Sequence, residues 1–356
     1  MGIFVVLFLY MYIVYICTYN YANPKKLTCI VFCMLGAWLV MSLRSPWCGV
    51  DLYRGFGEIS YYWVFENVQY IEWLDLPNLQ YETSQELGWI YFNKIVSFIY
   101  TNFQFFLAVT AFVILGTIGY VIYKYSSNIY LSCLVFCTFG LYHFFFSGLR
   151  QGVAVSLSFL SYYFLDRKKY LCYIVLVLLA TTFHSSALVF FIAYPLSKIE
   201  ISPKKGLLFL GGLFCTIPFL STIINFTSSL LFPGKYQHYE NEGGAITMFL
   251  IYALLYILSL CVDANRVVKI RGFILFAVLG QSLGVISSTS MTRIAFYFSV
   301  FFVLLIPELV NKFFGKQFNS FGTFLVSLLF VLFFYITTKD GYLDVIPYYF
   351  FWEKPI

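Results

Sequence analysis

Between Ile129 and Leu165 the chain carries one charged residue, Arg150, and between Gly272 and Pro307 one more, Arg293. Apolar stretches of this length have few folded solutions. The first, as a single helix, would measure about 55 Å against about 30 Å of bilayer hydrocarbon, and the second has the same problem. Each is therefore expected to double back as a hairpin of two helices. The natural turns are Ser147-Gly148 and Ser287–Ser290. Further apolar runs give the series 3–20, 27–43, 104–123, 129–147, 149–165, 170–183, 184–197, 206–231, 246–262, 273–290, 292–310 and 320–337. About 20 apolar residues cross a bilayer as helix. The strands of a membrane barrel alternate over about ten residues, which these continuous runs do not do. Only 11% of residues are charged, against roughly 25% in a soluble domain. The expected fold class is all-α: a polytopic membrane protein of about 12 transmembrane helices, with residues 1–356 forming a single integral membrane domain.

The basic residues set the topology. Lys25 and Lys26, Lys124, Arg167 to Lys169, Lys198 to Lys205, Arg266 to Arg271, and Lys312 with Lys316 all fall in short connections. The positive-inside rule puts these in the cytoplasm. Basic residues flank 170–197 at both ends, so this run is expected to be two short helices that dip in and return, with Thr182 to Ser186 at the apex. The opposite side then receives an external loop, about 44–104, the segment 233–245, and a tail, about 338–356. The loop is acidic, with Asp51, Glu58, Glu66, Glu72, Asp75, Glu82 and Glu86 against Arg44, Arg54 and Lys94. Residues 87–100 have the pattern of an amphipathic interfacial helix. The first run, Ile3 to Thr18, lacks a basic n-region and a cleavage site and is expected to be retained.

Several classes are excluded. No basic stripe or arginine-rich helix points to a nucleic-acid partner. Eight of nine cysteines lie in apolar runs, so neither a disulfide framework nor a zinc spacing is present. No GxSxG marks a hydrolase.

The residues that remain are polar groups in costly places. A guanidinium stays ionised almost anywhere and costs at least about 2.5–3.5 kcal/mol at a bilayer centre. Arg150 and Arg293 each sit just past a hairpin turn, and Arg44 ends the run 27–43. The bland reading is a side chain snorkelling to headgroups. Two arginines at equivalent turns facing one compartment favour an anion site, because the guanidinium fork suits phosphate and pyrophosphate. Gln151 adds hydrogen-bonding capacity beside Arg150. In the loop, Gly49-Val-Asp51-Leu-Tyr53 is either a plain turn or a site for a polar headgroup. Glu86 is either stabilising the helix it precedes, with Ser84 or Thr83 capping, or a carboxylate able to take a proton from a sugar hydroxyl. His184 is either satisfied by Ser185 or Ser186 or lines a cavity. His143, in an aromatic run, is expected to be structural.

These residues resemble the pattern of the EpsG family, the Wzy-like polysaccharide polymerases of bacterial capsule and exopolysaccharide loci. The matching elements are Arg44 with Gly49-x-Asp51-x-Tyr53, Glu86-x-Gly88, Ser147-Gly-Leu-Arg150-Gln151-Gly-Val-Ala154, and Phe183-His184. They continue with Arg293-x-x-x-Tyr297, Pro307, and Ile346-Pro-Tyr348. They run in family order over residues 44–348; the variable pair Trp47-Cys48 departs from the pattern.

The resemblance implies a GT-C-like glycosyltransferase of the bacterial inner membrane, acting at its outer face. A glycan carried on undecaprenyl pyrophosphate is the donor. The acceptor is the non-reducing-end hydroxyl of another lipid-linked repeat unit. It further implies Arg150, Gln151 and Arg293 at the pyrophosphate, Arg44 as a third clamp or acceptor-side contact, and Tyr53, Tyr297 and Tyr348 as further substrate contacts. Asp51, Glu86 and His184 are candidates for the catalytic base. No cofactor and no metal are expected, the arginines serving instead. Membrane lipid and a chain-length regulator are the implied partners. Two rivals stand beside this reading: a flippase or exporter of the same lipid-linked glycan, and a multipass sugar O-acyltransferase.

Overall fold

Helix starts in this chain are written by short polar side chains ahead of apolar runs. Ser60 Oγ accepts from the Trp63 amide at 3.1 Å, Asn102 Oδ1 from Phe105 at 3.1 Å, and Asn128 Oδ1 from Leu131 at 3.1 Å. Each satisfies a backbone donor that the first helical turn leaves over. The structure, a computed structural model, describes residues 1–19, 25–53, 60–231, 244–286 and 289–353. Arg54 and Glu58, residues 233–243 of the expected external segment, and the Ser287-Ser288 turn lie outside the described residues.

The described residues are helical throughout and contain no strand. In chain order the helices are α1 Gly2–Thr18, α2 Lys26–Ser42, α3 Tyr61–Val68, α4 Leu76–Thr83, α5 Leu87–Ile99 and α6 Phe103–Tyr125. Then come α7 Ile129–Thr138, α8 Leu141–Phe144, α9 Leu149–Asp166, α10 Tyr170–Phe183 and α11 Ala193–Leu196. The last are α12 Pro203–Leu231, α13 Gly244–Leu260, α14 Asn265–Ile286, α15 Thr289–Ser299, α16 Phe302–Phe314 and α17 Asn319–Thr338.

The chain is a multi-pass membrane protein, and among the described residues the full-length spans are fewer than the apolar runs. Among the described residues α6, α14 and α17 are long and apolar enough to cross a bilayer. α15 and α16 qualify jointly, bent by 54°, and seven shorter apolar helices accompany them. Breaks inside two runs account for part of the difference, while α1 and α2 are unbroken but stop at 17 residues each. The run 129–165 is interrupted at Gly140, whose φ of 96° continues no helix, and again at Phe145 to Gly148, next to the expected turn. The run 170–197 breaks at His184, which is extended (φ −156°, ψ 117°), and continues as a 3₁₀ helix over Ser185–Ile192. α14 and α15 pack antiparallel, so closely that a Cβ on Gly280 would lie 3.0 Å from Ala295 Cα. This is the expected second hairpin.

The chain divides into two compact units. Met1–Leu188 with Lys316–Ile356 form the first, Val189–Gly315 the second. In the first, α2 packs on α1, α6 and α7, α9 on α6 and α10, and α17 on α7. α3, α4 and α5 gather around Val64, Val68, Leu76, Leu79 and Ile90. Lys94 of α5 closes that cluster. Its buried ammonium donates to the carbonyls of Val68, Gln69 and Ile71 at 3.0, 3.0 and 2.7 Å, satisfying acceptors at the end of α3. α5 is about 20 Å long, too short for the hydrocarbon, and turns Ile95, Phe98 and Ile99 outward.

The tail folds back onto the segment after α2. Ser45 donates to the Tyr349 carbonyl at 2.8 Å, Phe351 to Leu43 at 2.9 Å, and Gly49 to Asp344 at 3.1 Å. In the second unit, buried Arg271 donates to the carbonyls of Ile201, Ser259 and Val262 at 3.1, 3.2 and 2.5 Å. That arginine, expected only as a cytoplasmic charge, ties α13 to the segment before α12.

Candidate functional site

Glu86 stands at the start of α5, but its side chain does not cap that helix. Thr83 and Ser84 do not cap it either: the Thr83 hydroxyl bonds to the Leu79 carbonyl and the Gln85 amide within the preceding turn. Glu86 instead reaches across two other segments. Its Oε2 lies 2.6 Å from Arg150 Nη1, and its Oε1 accepts the Ser185 amide at 2.9 Å. Arg150 is in the first turn of α9. Its Nε donates to the Tyr61 hydroxyl at 3.4 Å, and its guanidinium carbon lies 5.9 Å from the centre of the Tyr61 ring. The two side chains of the ion pair keep 23% and 19% of their surface exposed. That is dry enough to strengthen the pair and open enough for a ligand to reach it.

Four segments position this dyad. Gly88 lets α5 approach α10, since a Cβ there would sit 2.7 Å from the Thr182 carbonyl oxygen. The helix break that follows α10 frees the Ser185 amide, which finds Glu86. His184 is half-buried beside it and shares a 2.7 Å hydrogen bond between Nδ1 and Ser186 Oγ. The Ser186 amide also points at that nitrogen, from 3.4 Å. Tyr61 opens α3. Its ring packs edge-on against buried Trp89 at 5.2 Å, and its amide donates to the Asp51 carbonyl at 3.1 Å. Burial pushes the Tyr61 phenol above its ordinary range; the Arg150 charge opposes this and the Asp51 charge adds to it. Tyr61, Glu86, Arg150 and the segment around His184 therefore meet within the first unit, with the Asp51 charge acting on Tyr61.

A family model described as the EpsG family matches residues 38–350, most of the chain and all of these residues. The chain belongs to the EpsG family. Families of this description are associated with polysaccharide-polymerase-like membrane proteins. No curated protein and no solved structure matches the chain.

Other residues of the EpsG pattern have different surroundings. Arg44 is fully buried. Its Nη2 donates to the Phe146 carbonyl at 3.0 Å and its guanidinium covers the Phe146 ring at 4.4 Å, while Nε and Nη1 make no hydrogen bond. Burial lowers its pKa to about 10, still well above neutrality, so it stays charged. Its contacts anchor the turn that leads into α9. Gly49 abuts the same carbonyl, with φ 124° and no room for a Cβ; the Val50 amide donates to Ser147 Oγ at 3.0 Å. Tyr348 donates to the Val40 carbonyl at 2.9 Å and packs edge-on against Phe4 and Phe350, an anchoring role for the tail. Gln151 is buried inside α9's packing. Tyr53 is exposed and packs against Trp47 at a tilt of 42°. Arg293 and Tyr297 lie on α15 of the second unit, the arginine exposed and the tyrosine buried. His143 is buried against Phe4 and Phe334, as a structural residue would be.

Tyr61 and the Ser185 amide were missed by sequence reasoning. No spacing marks Tyr61 among so many aromatics. A backbone donor has no side-chain signature, although the expected break at His184 signalled that unpaired amides would follow.

Proposed function

We propose that this EpsG-family chain is a polysaccharide polymerase. It transfers a glycan from undecaprenyl pyrophosphate to the non-reducing-end hydroxyl of a second lipid-linked repeat unit at the external face of the bacterial inner membrane. The observation that carries the reading is the partly exposed Arg150–Glu86 pair, braced by Tyr61 and the Ser185 amide, at the start of a helix in a chain of this family. It offers a fixed cation for a diphosphate and a carboxylate within reach of it. The about 12 apolar runs, read as crossings of a GT-C-like membrane domain with the acidic loop outside, belong to the same proposal.

In the reaction the acceptor hydroxyl attacks the anomeric carbon and the carbon–oxygen bond to the diphosphate breaks. The departing undecaprenyl pyrophosphate takes the bonding electrons. Arg150 stabilises the negative charge that grows on it. A diphosphate on Arg150 competes with Glu86 for the guanidinium, which leaves the carboxylate available to accept the acceptor's proton. Asp51 and His184 are the alternative bases at the same site. The buried surroundings of Arg44 support a part for it in anchoring the turn before Arg150 over direct contact with substrate.

The test is reconstitution in proteoliposomes with purified undecaprenyl-pyrophosphate repeat units and no nucleotide sugar. A ladder of elongated products is expected, lost in Arg150→Ala. Passage of intact lipid-linked glycan across the vesicle without elongation would refute the polymerase and favour a flippase.

A further inference from the structure

Tyr61 and Tyr62 are neighbours that face different ways. Tyr61 turns to Arg150; Tyr62 turns to Tyr53, with ring centres 5.3 Å apart. Tyr53 in turn lies 4.3 Å from Trp47, and Tyr62 is backed edge-on by buried Phe103 at 5.1 Å. The three rings are tilted by 42° and 48° to one another, so they form a shallow, curved surface. It remains open: Tyr53 is 44% exposed, and Trp47 and Tyr62 are half-buried.

The surface is also rigid. The Tyr62 amide donates to the Leu52 carbonyl at 2.9 Å and the Tyr61 amide to Asp51 at 3.1 Å, fastening the Tyr53 segment to the start of α3. Next to Trp47, Cys48 Sγ accepts the Tyr349 amide at 3.1 Å, which fixes the other end to the tail. Rings held in place lose little freedom when they receive a ligand. Two carboxylates are close to the rings along the chain. Asp51 lies two residues from Tyr53. Glu66 lies one helical turn from Tyr62 and, after burial, contributes to pushing its phenol up.

We propose that Trp47, Tyr53 and Tyr62 form a stacking platform for a neutral pyranose ring of the acceptor glycan, with Tyr62 next in the chain to Tyr61, which contacts Arg150. A pyranose presents a face of C–H bonds made electron-poor by the ring oxygens, which suits the electron-rich face of an aromatic ring. Its equatorial hydroxyls are donors for Asp51 and Glu66. The proposal names the acceptor subsite of the polymerase reading and rests on it for the word acceptor alone, because sugar binding is measurable without turnover.

The test uses the full chain in nanodiscs and, as probe, the repeat-unit oligosaccharide released from its lipid. Saturation-transfer NMR should show contact with the C–H protons of one ring face. Tyr53→Ala, at an exposed position, should weaken that binding roughly tenfold and raise the acceptor KM similarly, with a much smaller change in kcat. Tyr53→Trp should restore both. Trp47→Ala should act in the same direction. Unchanged oligosaccharide binding and acceptor KM in both alanine variants overturn the platform. So does added fluorescence of Tyr53→Trp that is quenched by brominated acyl chains and indifferent to the oligosaccharide, which would make the rings a membrane anchor. Wild-type protein that binds the oligosaccharide through these rings but builds no ladder supports the platform and removes the polymerase.

Discussion

Gly88→Ala is the substitution for which the structure gives the sharpest expectation. A Cβ at this position would fall 2.6 Å from Thr182 Cβ and 2.7 Å from the Thr182 carbonyl oxygen. Ordinary contact needs about 3.5 Å, so α5 and α10 must part by about 0.8 Å. The backbone carbonyl cannot rotate away as a flexible side-chain end can. Overpacking of this kind costs about 1–3 kcal/mol. The functional effect follows from where the strain acts. Glu86 is two residues from Gly88, and Ser185 is three residues from Thr182. Their hydrogen bond, 2.9 Å, bridges the same interface. Stretched by about 0.8 Å it passes the limit of a hydrogen bond, and the carboxylate loses one of its two fixed contacts. Misplacement on this scale lowers a rate by about 10- to 100-fold. The assay is elongation in proteoliposomes, with size exclusion confirming folded protein. Gly116→Ala is the control, because a Cβ there meets nothing within 4 Å. Folded Gly88→Ala that elongates within about twofold of wild type would show that this interface does not position Glu86.

Arg150→Lys should lower elongation at least about tenfold, because an ammonium cannot hold Glu86 and Tyr61 together in the guanidinium's fork; initial rates at saturating substrate are the measurement. Tyr61→Phe removes one long hydrogen bond and leaves the ring, so a loss of about 1 kcal/mol or less is expected, seen as a few-fold fall in kcat without loss of folded protein. Gly49→Ala forces a side chain into left-handed backbone against the Phe146 carbonyl and should destabilise by roughly 1–3 kcal/mol, read as a lowered thermal midpoint in detergent.

Much of the fold was legible because it depends on local composition. The helical break near Ser147 follows from glycine, serine and the length limit of a span, and the one at His184 from the basic residues that flank 170–197 at both ends. The α14–α15 hairpin follows from the same limit. The number of full-length spans was not legible. Gly140 cuts a run whose hydropathy is continuous, and α1 and α2 stop at 17 residues each. At the other two breaks distant groups satisfy the non-helical backbone. The Val50 amide and Arg44 bond to the turn at Phe146-Ser147, and Glu86 receives the Ser185 amide.

The sequence alone determined that this chain is an α-helical membrane protein of the EpsG family with charged groups worth their cost of burial. That follows because span length, hydropathy and the order of short motifs are properties of the chain read in one dimension. Only the tertiary structure decided what each charge does. Arg44 and Arg150 look alike in sequence, each at the edge of an apolar run. Packing enclosed the first against the Phe146 carbonyl and gave the second a carboxylate 64 residues away. The physical reason is that a guanidinium's role is fixed by the acceptors within about 3 Å of it, and which acceptors those are depends on how the helices pack.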